Sequence, residues 1–202
     1  MHEPKTSDVK EAIIRESTRL FLANGFRGTS VKEITEAAGI GRGTLYWYFK
    51  SKEEILITIF RKFETELLDK LSETVRGCKG DFTVRYRLFH KYSTEFARDN
   101  RDLCLAFNTL LNEISGTHTE AEKVAKAVYG KFDIIVEGML EAGKRDGSVN
   151  RDVDSALYAH AVIACHTGML VQWLVKGESL DARAFVKTVR DFILKGLTQK
   201  GP

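Results

Sequence analysis

Two prolines, Pro4 and Pro202, stand near the ends of the chain, and none lies between them. Proline removes a backbone donor and breaks a helix interior, so nothing across that span forbids helix. The alternation of β-branched residues that marks strands is scarce throughout. The expectation is an all-α protein, and 202 residues with 43% hydrophobic content suffice for one large or two modest domains.

The most informative stretch runs from Thr29 to Lys52, TSVKEITEAAGIGRGTLYWYFKSK. Ser30 followed by Glu33 is a capping box, which starts a helix. Val31, Ile34 and Ala38 recur at helical spacing and give that helix an apolar inner face, leaving Lys32, Glu33 and Glu36 outside. Gly39 stops it, because glycine enters the left-handed region without steric penalty. A second short helix follows, with Gly41 as N-cap and Leu45 and Phe49 as a buried i, i+4 pair. Arg42, Gly43, Thr44, Tyr46 and Tyr48 then point elsewhere. Such a face suits the DNA major groove: guanidinium reads guanine, the threonine methyl meets thymine, and phenol hydroxyls reach phosphates. An aromatic core is the competing reading of LYWYF; it holds for Leu45 and Phe49, while helical spacing turns Tyr46 and Tyr48 away from them. Ser51 to Glu54 is a second capping box, and Lys52 sits in its first turn, at the positive end of a helix dipole. That locally unfavourable placement suits a phosphate clamp.

At these residues the chain resembles the TetR family of one-component transcriptional regulators, of the AcrR-like kind. Upstream, IIRESTRLFLANGFRGTS places Ile13, Ser17, Leu20 and Phe21 on one face and ends at Asn24-Gly25, similar to the family's first helix and G-F/Y-x-x-T-S turn. The run from Gly43 to Glu53 resembles its most specific signature. The resemblance implies that Lys32, Arg42, Thr44, Tyr46, Tyr48 and Lys52 face DNA across the bare backbone at Gly43, with Trp47 at the edge of the contact. Thr35 stands where the family usually has alanine. Gly41 stands where it often has serine and is not counted as a contact.

The formal net charge is only +3, but its distribution is uneven. Residues 1 to 52 hold nine Lys and Arg against six acids, and the rest of the chain holds 22 of each. The whole excess therefore lies in the expected DNA-binding domain, as phosphate neutralisation requires. Cys78, Cys104 and Cys165 have no metal-ligand spacing, and with no signal peptide a reducing cytoplasm fits best. Ala156 to Val175 lacks charged residues but is rich in alanine and polar interruptions; it reads as a helix buried on all sides rather than a membrane span.

After the expected boundary between a reading domain, 1–50, and a larger domain, 51–202, one helix is expected from Ser51 to about Arg76, with Ile55, Ile59, Phe63, Leu67, Leu71 and Val75 on one side. Further helices are expected at Phe82 to Arg98, Arg101 to Ile114, Glu120 to Arg145, Val153 to Lys176 and Ala182 to Leu197. The segment from Gly143 to Trp173 resembles the family's C-terminal domain, with a G-x-x-x-G turn, an Asp cap and an alanine-rich helix interrupted by Gly168. Ala161, Ala164, Cys165 and Gly168 form a smooth strip for a close helix approach; the resemblance implies a homodimer there, hence a pseudo-palindromic operator. It also implies a small-molecule pocket, binding in which changes the separation of the two DNA units.

The candidate lining residues, chosen as aromatic, soft or isolated polar groups, are Phe89, Tyr92, Phe96, Cys104, Phe107, Leu111, Met139 and His166. Ordinary core is the competing reading of each. A buried imidazole such as His166 needs a partner, which a ligand would supply. Neither a metal site nor a cofactor is expected: His160 and His166 do not share a helical face. No nucleophile elbow, phosphate loop, HExxH or carboxylate pair supports an enzyme. The reading is a ligand-responsive repressor, with an architectural DNA-binding protein and an all-helical enzyme as alternatives.

Overall fold

The computed structural model describes residues 6–198, and every regular element among them is helical. Pro4, Pro202 and the outermost residues of both expected domains lie outside them. Helix α1, Thr6–Gly28, is broken near its end by Gly25, whose φ of 77° and ψ of 163° are glycine geometry, so the regular helix stops at Asn24. Helix α2, Val31–Ala37, opens on the complete Ser30–Glu33 capping box. It closes as the pattern requires: Gly39 has φ +66°, Ile40 N–H donates to Thr35 O at 3.0 Å and Gly39 N–H to Glu36 O at 3.2 Å. Helix α3, Arg42–Tyr48, follows from Gly41, which provides no side-chain cap.

Helix α4, Lys52–Phe63, starts where Glu54 N–H donates to the Ser51 hydroxyl at 3.1 Å. The box is only half formed, since the Glu54 carboxylate takes the Lys50 N–H, at 2.6 Å, one residue earlier than expected. The helix expected to run unbroken to Arg76 contains a π turn, Glu64–Asp69, before α5, Lys70–Gly77. Then come α6, Phe82–Asp99; α7, Arg101–Ile114; α8, Glu120–Asp146; α9, Ser155–Lys176; and α10, Ala182–Leu197. Helix α9 begins two residues later than expected, because the Asp154 carboxylate accepts the N–H groups of Ala156 and Leu157 at 3.0 and 3.1 Å and so fixes the cap.

The backbone gathers into two compact units, one formed by the chain through Glu64 with Asn100–Val128, the other by Thr65–Asp99 and the chain from Tyr129 onward. In the first, Ile13, Phe21, Ile34, Leu45 and Ile55 are fully buried, and α7 packs against α1 and α4. Phe107 of α7 stacks on Phe63 at 4.2 Å and meets Phe60 edge-on at 5.5 Å. A three-helix unit of this size is too small to bury a sufficient core alone, and α7 supplies the missing apolar wall.

In the second unit, Phe82, Tyr86 and Phe89 line the buried side of α6, which packs against α5 and α10. Gly143 is required by close approach: a Cβ there would sit 2.5 Å from Val149 Cγ2 and 2.9 Å from Phe82 Cβ. One expectation is overturned here. Helix α9 is not buried on all sides, for Leu157 (66%), Val171 (50%), Leu174 (56%) and Val175 (69%) are exposed while Ala159, Val162, Ile163 and Met169 are buried. Alanine-rich composition identified an apolar helix but carried no information on whether the fold covers both faces. No helix among the described residues is long and apolar enough to cross a membrane.

Candidate nucleic-acid interface and effector region

Helix α3 divides as its spacing dictates. Leu45 is fully buried and Phe49, its C-cap, nearly so, whereas Arg42, Gly43, Thr44, Tyr46 and Trp47 are exposed and Tyr48 is half-buried. The outer side chains organise one another: the Arg42 guanidinium lies 5.6 Å from the Tyr46 ring centroid, and Trp47 meets Tyr48 edge-on at 4.5 Å. A Cβ on Gly43 would meet nothing within 4 Å, so the bare backbone there faces open space rather than a packed neighbour. A helix with its side chains is about 10–12 Å across, which matches the roughly 12 Å width of a major groove. Lys32, on α2, is exposed and paired with Glu36 at 3.7 Å.

Lys52 is the residue whose placement differs most from a free phosphate clamp. Its ammonium donates to Phe26 O and Thr29 O, both at 2.6 Å, and lies 4.5 Å from the Phe26 ring centroid. Two of its three N–H groups are thereby spent on the turn between α1 and α2, leaving one. Burial pushes its pKa down, against the opposing fields of Glu113 and Glu33. Glu113, a residue that sequence patterning passed over, completes the turn: its carboxylate accepts Phe26 N–H at 2.8 Å and Arg27 N–H at 2.9 Å. An opposite charge therefore holds each side of the same peptide segment. Nothing short of the fold would have found Glu113, since α7 lies more than eighty positions further along the chain.

The expected lining residues are divided between the two units. Cys104, Phe107 and Leu111 belong to the first unit, where Phe107 is committed to Phe60 and Phe63; Phe89, Tyr92, Phe96, Met139 and His166 belong to the second. Met139 lines a cleft of about 400 Å³ with Val75, Arg76, Arg85 and Ile135. Cys104 is buried, which pushes its thiol up to about 12. His166 finds its partner within the protein. His90 Nε2 faces Val186 O at 2.8 Å, and a carbonyl only accepts, so Nε2 carries the proton. His90 Nδ1 then accepts from His166 Nε2–H at 3.2 Å, and the Tyr86 hydroxyl lies 3.4 Å from the same nitrogen. Burial, reinforced by His90, holds His166 down at about 3, and burial likewise lowers His90 and raises the Tyr86 phenol. Both imidazoles are uncharged at neutral pH. His90 carried a legible signal, four residues after Tyr86 on one face of α6, but nothing in the sequence paired it with α9.

Of the expected dimer strip, Ala161 and Ala164 are exposed, and Cys165 and Gly168 are half-buried. A Cβ on Gly168 would meet nothing within 4 Å. The strip continues into the exposed Leu157, Val171 and Val175 at spacings of three and four, and Phe192 of α10 is 70% exposed. Among the described residues no group of three His, Cys, Asp or Glu side chains is placed to hold a metal; His160 instead faces Asp133 at 3.0 Å.

Residues 13–59 match the family model of bacterial regulatory proteins of the tetR family, which covers α2, α3 and most of α1 and α4. Across most of its length the chain is 30% identical to the HTH-type transcriptional repressor KstR2 of Rhodococcus jostii, over 186 residues covering 88% of this chain and 85% of that protein. The chain belongs to the TetR family. It is 24% identical to the fatty acid metabolism regulator protein of Bacillus subtilis over 188 residues, 93% and 95% of the two chains. The solved structure of the MbdR regulator from Azoarcus sp. CIB superposes with a TM-score of 0.84 at 27% identity, covering 95% of this chain and all of that one. FadR of Bacillus subtilis, in complex with stearoyl-CoA, shares the fold with a TM-score of 0.79 at 20% identity over 92% and 98% of the two chains. As a TetR-family member the chain is a DNA-binding transcriptional regulator.

Proposed function

We propose that the protein is a homodimeric repressor, released from a pseudo-palindromic operator by a small hydrophobic or amphipathic effector. Residues 1–50 read double-stranded DNA, and residues 51–202 carry effector binding and dimerisation. The protein acts in the cytoplasm by binding rather than by catalysing a reaction. The observation that carries this reading is the two-sided α3, with Leu45 inside and Arg42, Thr44, Tyr46 and Trp47 exposed over an uncovered Gly43. Arg42 and Thr44 address base edges, Tyr46, Tyr48, Lys32 and the remaining Lys52 N–H address phosphates, and Trp47 packs at the rim.

The exposed stripe of α9 supports the dimer. Burying a side chain such as Leu157 or Val175 stabilises by roughly 1.5–3 kcal/mol, so a second copy lying along the strip removes a standing cost of the isolated protomer. A two-fold dimer places two α3 helices on half-sites a helical turn or its multiple apart. Effector binding changes the separation of those helices. The stearoyl-CoA held by a neighbour of the same fold favours an amphipathic effector with a long apolar part. Footprinting on the DNA upstream of the protein's own gene tests the reading: a protected site with two-fold symmetry, lost in Tyr48→Ala, is expected, and unchanged protection by Tyr48→Ala refutes the assigned face.

A further inference from the structure

A cleft of about 650 Å³ opens between α6 and α10, with Trp173 of α9 in its wall. Its lining carries Arg87, Lys91 and Arg98 from α6 and Arg183 and Arg190 from α10, against one acid, Glu95. Like charges on facing helices repel, and the fold gains nothing by collecting them. Three have local carboxylates: Lys91 with Glu95 at 4.0 Å, Arg98 with Asp99 at 2.7 Å and Arg190 with Asp191 at 2.8 Å. Arg87 and Arg183 have no carboxylate within 4.0 Å among the described residues, although Asp191 feels the field of Arg87. The indole Nε1–H of Trp173 is buried and has no acceptor among the described residues. The His90 bond to Val186 O ties α6 to α10 across the same cleft, so the two rows of cations are held in fixed register.

Two guanidinium forks without a carboxylate in ion-pair range, and in the same cleft wall a tryptophan whose indole donor is unpaired, call for a ligand with several acceptor oxygens on an organic body. Phosphate groups match the fork geometry, and the cleft volume falls in the range of small-molecule sites rather than that of an extended polymer track. We propose that this cleft binds the phosphate-bearing part of a small organic anion, with Arg87 and Arg183 on the phosphates and the Trp173 indole donating to the same ligand. The assignment rests on the ligand-responsive reading above and deepens it, since it supplies the polar half of an amphipathic effector.

The test is calorimetric titration of the full-length protein with coenzyme A, octanoyl-coenzyme A, ADP and pyrophosphate, with operator release followed in parallel by fluorescence anisotropy. The wild-type protein is expected to bind the phosphate-bearing organic probes with salt-sensitive affinity. The exposed pair Arg87→Gln/Arg183→Gln should weaken that binding by about tenfold or more, and Trp173→Phe, which keeps the apolar body and loses the donor, should weaken it several-fold. A thioester bound tighter than ADP marks an amphipathic source; equal binding marks a free nucleotide. Absence of saturable binding, or unchanged affinity in the double variant, overturns the cleft. If octanoyl-coenzyme A releases wild type and double variant from operator equally, the cleft falls while the effector reading survives. Probes that bind and are lost in the variants, with no effect on DNA binding, leave the cleft standing and refute the effector reading.

Discussion

Replacing Lys52 with methionine separates two roles that meet in one ammonium group. Methionine keeps the stem against Phe26 and removes the bonds to Phe26 O and Thr29 O, both 2.6 Å, together with the cation over the ring at 4.5 Å. A hydrogen bond to a charged group nets about 1.5–3 kcal/mol when it is desolvated. Lys52 is only partly buried, which keeps each bond at or below the lower end of that range. The ring contact adds about 0.5–1 kcal/mol. The expected loss is about 2–3 kcal/mol, which for a chain of this size lowers the melting temperature by roughly 5–10 °C. Thermal unfolding followed by circular dichroism at fixed protein concentration measures it. Sequence position gives no hint of this cost, because it does not show that the α1–α2 turn lies within reach of Lys52. Operator affinity measured over a salt series resolves the second role: if the third N–H meets a phosphate, the log–log slope falls by about one. A Lys52→Met protein that melts within a degree of wild type would refute the carbonyl clamp.

Glu113→Ala should cost about 1–3 kcal/mol, since Phe26 N–H and Arg27 N–H lose their shared carboxylate; chemical denaturation midpoints check it, and a loss below half a kcal/mol contradicts the capping role. His166, held at about 3 against an ordinary 6.5, stays uncharged in the fold while the unfolded chain takes up a proton. Its stabilising effect is therefore complete above pH 6.5 and falls as the pH drops towards the folded value, by about 2 kcal/mol between pH 6.5 and 5. The melting-temperature profile of wild type should drop through that window more steeply than that of His166→Asn, and parallel profiles would contradict this. Gly168→Leu should leave the protomer folded, because nothing lies within 4 Å of an added Cβ, yet yield monomers with poor operator affinity; an intact dimer in sedimentation velocity would remove Gly168 from the interface.

Local patterning carried α2 and α3 almost completely. The Ser30–Glu33 box, the Gly39 stop and the Leu45–Phe49 pair depend on residues three to five positions apart, and all three are as the spacing dictates. The later helices were legible for the same reason, from unbroken 3.6-residue periodicity without proline. What escaped was set by long-range packing. The π turn at Glu64–Asp69 has no sequence mark of its own. Glu113, Lys52 and the His90–His166 pair acquire their partners across 23 to 87 positions. Aromatic and soft residues predicted burial correctly at Phe89, Cys104, Phe107 and Met139, but burial does not distinguish a pocket wall from a core, and Phe107 is spent on its neighbours. The cleft cations were invisible for the opposite reason: the charges balance over residues 53–202, and only the fold collects five of them on facing helices.

The most direct test of the account is selection of bound sequences from a random duplex library by the full-length protein, followed by affinity measurement on the selected site. The account predicts a pseudo-palindrome with half-sites a helical turn or its multiple apart, bound at least tenfold more weakly by Tyr46→Ala and by Thr44→Ala. Enrichment of no symmetric site, or equal affinity of wild type and both variants for it, would contradict α3 as a two-fold reader of DNA.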